Sequence, residues 1–155
     1  MSVETNKRNV RQFFEEAFNQ GRLEIIDTLV AEGSVDHQHP DEPSFRDHLK
    51  DVVRSLRAGL PDLHFEITEI IGEGDWVALH AVMTGTHTGA LRLPVPSPNG
   101  PPVVAPTGRF VRVPHMHMIR FENGQNTELW HIMDTLTLLG QLGLLPTMPS
   151  GVAAA

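Results

Sequence analysis

The dipeptide Asn123-Gly124 constrains this chain more than any other feature, because it separates two runs that both read as strands. Asn-Gly supplies the two left-handed residues of a tight hairpin loop, so the flanking segments are expected to pair antiparallel. With these two residues as the loop, Glu122 opposes Gln125. Counting back then sets His117 against Trp130, His115 against Ile132 and Val113 against Asp134. Side chains alternate between the two faces of a sheet. In that register His115, His117, Trp130, Ile132 and Asp134 share one face. Two imidazoles, an indole and a carboxylate on an otherwise apolar face describe a lined pocket better than a plain core.

The 155 residues are enough for one domain with a real core. Formal charge is −7, from 12 basic and 19 acidic side chains, and no basic cluster occurs. That argues against a nucleic-acid partner and against an anionic membrane surface. The absence of Cys removes disulfides and thiolate chemistry. Met1 to Gly21 is charged and amphipathic, and no apolar run approaches the length of a membrane span. A soluble cytoplasmic protein is the expectation.

Val10, Phe13, Phe14, Ala17 and Phe18 repeat with helical spacing, and Gly21 suits the stop. Leu23 to Val30 reads as a second helix and residues 33–43 as a loop. Ser44, with Asp47 three residues on, starts a third helix whose buried face is Leu49, Val52, Val53 and Leu56. Beyond Pro61 the period becomes two: Leu63, Phe65 and Ile67 alternate with His64, Glu66 and Thr68. Strands follow at 76–86, 109–121 and 126–134. Residues 88–107 hold six prolines and read as a long ordered loop or pocket lid. Thr135 to Leu145 reads as a short terminal helix or turn, and residues 146–155 as a loose tail after a single domain of 1–145. Helices first and an antiparallel meander afterwards give an α+β protein, with the helices on one face of a curved sheet.

Read in order, several short motifs resemble one family. They are Asp36-His37, Leu60-Pro61-Asp62-Leu63, Gly74-Asp75-Trp76-Val77 and Gly85-Thr86-His87-Thr88-Gly89. Pro106-Thr107-Gly108-Arg109 and Arg120-Phe121-Glu122-Asn123-Gly124 follow, and the series ends in Glu128-Leu129-Trp130, Asp134, Leu136 and Gln141-Leu142-Gly143. Together they resemble the SnoaL-like polyketide cyclases, also called ester cyclases, of the NTF2-like superfamily, over residues 6–145. The resemblance implies a cone-shaped barrel, with N-terminal helices on a curved antiparallel sheet that encloses a ligand cavity. It implies an intramolecular aldol condensation without metal or organic cofactor, with Asp134 as acid/base and, less directly, His115 and His117 beside it. It also implies a homodimer or larger homo-oligomer, formed through an outer sheet face bearing Met116, Met118, Leu129 and Met133. Superfamily members with other activities, or none, make the fold a firmer implication than the function.

A partly desolvated Asp134 would have a raised pKa and could remove a proton α to a carbonyl. His115 or His117 would donate to the enolate. The structural alternative is that Asp134 caps the terminal helix. Trp130, Trp76, Ile132, His80 and His37 are the candidate substrate-binding residues, for which core packing is the alternative. His39, His48 and His64 read as surface, His131 as facing away from the pocket, and His87 as a turn residue. His115-x-His117 with Glu122 resembles half of a cupin metal motif, but no second half follows, so no metal is assigned. The expectation is a lyase or isomerase acting on a bulky hydrophobic carbonyl compound. The alternatives are a non-catalytic small-molecule-binding module and a His-ligated metal enzyme.

Overall fold

A computed structural model describes residues 1–93 and 102–145. Helix α1 (Val3–Phe13) begins at Ser2, whose hydroxyl accepts from the Thr5 N–H, and runs on through a wider π-helical segment, Phe14–Asn19. There the Gln20 N–H reaches back to the Glu15 carbonyl. Val10, Phe14, Ala17 and Phe18 are buried, the stripe expected from their spacing. Helix α2 is Glu24–Leu29, and α3 (Phe45–Gly59) is capped by Ser44 and buries Phe45, Leu49 and Val53.

Five strands form the main sheet: β1 (Val30–Asp36), β2 (His64–Glu73), β3 (Trp76–Thr86), β6 (Phe110–Glu122) and β7 (Gln125–Met133). Their order is β1-β7-β6-β3-β2. All neighbours are antiparallel except β1 and β7, which run parallel. The helices cover one face, and the apolar core lies between them and the sheet. Among the described residues no helix is long and apolar enough to cross a membrane.

The fold is α+β, as expected, but the cone-shaped barrel and the purely antiparallel sheet are not found. The sheet is mixed and open, with β1 and β2 as unpaired edges. A barrel would need those edges to meet. Instead the outer edge of β2 is met by a side chain: Asn19 donates Nδ2–H to the Phe65 carbonyl at 3.1 Å and accepts the Phe65 N–H at 2.7 Å. The wide helical segment thus takes the place of a further strand.

β1 lies where a loop was expected. Ala31-Glu32-Gly33-Ser34 has little intrinsic strand preference, so the conformation comes from pairing with β7. Within the Pro-rich segment, β4 (Leu91–Arg92) and β5 (Val103–Val104) make a separate two-stranded sheet. His87 anchors its base: fully buried, it accepts the Thr107 N–H at Nδ1. The loop's Pro94, Pro96, Pro98 and Pro101, and the tail at 146–155, lie outside the described residues.

The hairpin loop forms at Asn123 (φ 51°) and Gly124 (φ 80°), with Glu122 opposite Gln125. The register then slips. Phe121 pairs with Asn126, but Arg120 pairs with Glu128, leaving Thr127 as an extra residue in a β-bulge. From there on every pair differs by one from the expected count: His117 faces His131, Met118 faces Trp130 and His115 faces Met133.

Candidate functional site

A one-residue slip turns every later side chain on β7 to the other face. Leu129, His131 and Met133 therefore join His115 and His117 on the helix-facing side. There they line a cavity of about 1270 Å³ between the sheet and the helices, larger than the roughly 300–1,000 Å³ usual for small-molecule sites. Ala90, Arg92, Leu93 and Val103, from the Pro-rich segment and its small sheet, add to its wall.

The sequence-derived set is divided. His115 and His117 do face the cavity. Trp130, Ile132, Trp76, His80 and His37 lie on the other side of the sheet and do not line it. There the His37 ring stacks on Trp130 at 3.8 Å and contacts Glu128, which also pairs with Arg120 at 2.8 Å. Met116 and Met118 are exposed on this outer face as expected, but Leu129 and Met133 belong to the inner one, and Ile132 takes their place outside. Glu122 sits exposed at the hairpin opposite Gln125, where the expected register put it.

Asp134 also departs from its expected place. Its exposed carboxylate caps α4 (Thr135–Leu142), accepting the Thr137 N–H at 3.0 Å and the Thr137 hydroxyl at 2.6 Å. These bonds hold its pKa below the usual Asp value rather than above it. A carboxylate so placed is a weak base.

Of the acids that line the cavity, Asp36, Glu42, Asp47 and Asp51, the buried one is Asp36, at the end of β1. The parallel ladder sets it beside Leu129, so its side chain meets His131. Asp36 Oδ2 lies 3.1 Å from His131 Nε2, and Oδ1 accepts the Gln38 N–H at 2.9 Å. The Gln38 side chain in turn accepts the His131 backbone N–H at 2.7 Å, locking the turn to the strand. Burial pushes the Asp36 pKa up, but the bond and charge of His131, the Gln38 N–H and His39 outweigh it, leaving the value below normal. Asp36 is ionised at neutral pH, with its side chain only 2% exposed.

His39, exposed as expected, and His48, half-buried rather than at the surface, both line the same cavity, with their rings 4.7 Å apart. His115, His117 and His131 form a row of near-parallel imidazoles, each ring 5.8 Å from the next. Phe65 and Phe14 meet His115 and His117 edge-on. Burial holds the His115 pKa down to about 4, with His131 and His80 adding repulsion, and pushes His117 well below its ordinary value. Both rings are neutral at pH 7. Their Nε2 atoms are buried and find no partner among the described residues, which leaves hydrogen-bonding capacity unused at the cavity wall.

The comparisons agree with this architecture. The family model for SnoaL-like polyketide cyclase matches residues 8–142, and the chain belongs to that family. IdmH from Streptomyces antibioticus is 31% identical, with a TM-score of 0.71 over 89% of this chain and 98% of its own. AclR from Streptomyces galilaeus is 28% identical (TM-score 0.75; 96% and 91%). TsrD from Streptomyces laurentii is 20% identical and shares the fold (TM-score 0.78; 94% and 99%). No curated protein matches at a significant level.

The neutral imidazoles set a pH dependence of stability. Between pH 6.5 and about 4 the unfolded chain takes up a proton at residue 115 that the folded protein refuses, so stability falls as the solution is acidified through that window. His117 acts in the same direction. Asp36 acts lower: its contribution is full above its unfolded value of 3.8 and is lost as pH falls through its depressed folded value. Urea unfolding across pH should show this fall for the parent and a shallower one for His115→Gln/His117→Gln. Identical slopes would contradict the buried-imidazole account.

Proposed function

We propose that the cavity runs acid/base chemistry without a cofactor on a bulky, hydrophobic, polyketide-like carbonyl compound, an intramolecular aldol condensation or a related isomerisation. The observation that carries this reading is the Asp36–His131 pair at the cavity wall. An ionised Asp36 accepts the Nε2–H of His131 and so selects the tautomer with a bare Nδ1. That nitrogen has no hydrogen bond from the protein among the described residues, so it is left to act as base. It takes a proton α to a substrate carbonyl, and the developing enolate oxygen accepts an N–H from neutral His115 or His117. After the new carbon–carbon bond forms, the Nδ1–H returns its proton to the alkoxide. Two neutral donors suit an enolate well, since neither needs a charge stored in the apolar wall. IdmH is itself described as a candidate polyketide cyclase, which supports this substrate class.

The outer face belongs to the same proposal as the contact surface of a homo-oligomer, a dimer at least. Ile132 is 71% exposed and Met116, its cross-strand partner, 53%, with Met118 and Trp76 also exposed on this face, an apolar grouping of the kind that marks interaction sites.

Two measurements test these readings. Proton NMR in D2O should show the parent protein accelerating α-proton exchange of a hydrophobic β-keto ester. His131→Gln and Asp36→Asn should each lose roughly 10²–10⁴-fold while still binding it, and Asp134→Asn should keep the rate. The reverse pattern would return the acid/base role to Asp134, and no exchange by the parent would favour the binding module. Sedimentation should show the parent as an oligomer and Ile132→Lys shifted to monomer; a monomeric parent contradicts the proposed interface.

A further inference from the structure

The end of β1 and the turn that follows hold more chemistry than a base and its orienting acid require. His39, three residues after Asp36, is held by its N–H to the Asp36 carbonyl at 3.0 Å, while its own carbonyl accepts the Glu42 N–H. This brings a third donor to the pair. A carboxylate oxygen of Asp36 and one ring nitrogen each of His39 and His131 all lie within 4.8 Å of one another. The proposed proton transfer gives His39 no part.

We propose that Asp36, His39 and His131 form a binding site for a divalent first-row metal of the zinc type. Two imidazoles and one carboxylate are a donor set that such ions prefer, and three protein ligands leave positions open toward the cavity. With bonds of about 2.1 Å, neighbouring ligand atoms around a tetrahedral ion stand about 3.4 Å apart. The Asp36–His131 edge, at 3.1 Å, is already near that spacing. His39 is exposed, and with all three atoms within 4.8 Å of one another it has at most about 1.4 Å to close to the tetrahedral spacing. Surrounding contacts suit the role. The Gln38 N–H orients the Asp36 carboxylate, and the His39 ring rests against His48, which contacts Glu42 at 3.4 Å. Asp36, buried at the cavity wall, supplies the carboxylate oxygen for the cation.

This site shares atoms with the proposed base, and the two uses exclude each other. A metal on His131 Nε2 takes the place of the proton that Asp36 holds there, and the ring proton moves to Nδ1. The loaded protein then has no free base. Metal occupancy therefore reads as a block on proton abstraction, with the open coordination positions left to an oxygen ligand.

Titration of tag-free, chelator-treated protein with Co²⁺, followed by visible absorption, tests the site whether or not the base reading holds. The expected result is d–d bands saturating at one ion per chain, displaced by Zn²⁺ but not by Mg²⁺. His39→Ala, a change on an exposed turn, should weaken binding by about tenfold or more. Asp36→Asn should weaken it further, and His39→Ala should melt as the parent does within a few degrees, so that its weaker binding is not a folding effect. Absence of the bands, or equal affinity in His39→Ala, would overturn the proposal. Bands with no α-proton exchange by the metal-free parent would support the metal site while removing the base.

Discussion

The contact between Asp36 and His131 joins groups 95 residues apart, and the arrangement of the cavity depends on it. Two features of the sheet make it possible. The parallel pairing of β1 with β7 delivers Asp36 to the right strand end, and the extra residue at Thr127 turns His131 inward. Without the bulge the same strand would present Trp130 and Ile132 to the helices. A large indole would then fill the space now lined by three parallel imidazoles. The bulge thus sets cavity volume and cavity chemistry together.

Electrostatics inside the cavity are economical. Asp36 is the buried carboxylate among the described residues, and its hydrogen bonds stabilise the charge that burial opposes. His115 and His117 stay neutral because apolar neighbours, Phe14 and Phe65 among them, make a second and third charge costly. One buried negative charge with neutral imidazoles beside it suits either a proton held on His131 or a cation in its place. It does not suit a row of protonated imidazoles.

Helical spacing in Val10 to Phe18 and the cap at Ser44 placed two helices, and the alternation after Pro61 placed β2, because these signals are local. Asn123-Gly124 placed the hairpin for the same reason. What was hidden is non-local. Nothing in Ala31-Glu32-Gly33-Ser34 declares a strand, since β7 imposes it, and nothing in Gln125-Asn126-Thr127 declares a bulge. One unseen residue was enough to move Trp130 and Ile132 outside and His131 inside. Asp134 was misplaced for another reason: an acid just before a helix is equally a cap, and Thr137 offered both an N–H and a hydroxyl. The run Asp36-His37-Gln38-His39 stood out in the sequence, but only the parallel ladder shows which of its members reach the cavity.

The central claim is that Asp36 fixes the ring of His131 with the proton on Nε2 and a lone pair on Nδ1. Nitrogen-15 NMR of the metal-free protein, with the His131 ring resonances assigned through His131→Gln, reads this directly. The account predicts a protonated Nε2 and a bare Nδ1 at neutral pH, with the preference lost in Asp36→Asn. A His131 ring protonated on Nδ1, or averaging between tautomers as free histidine does, would contradict it.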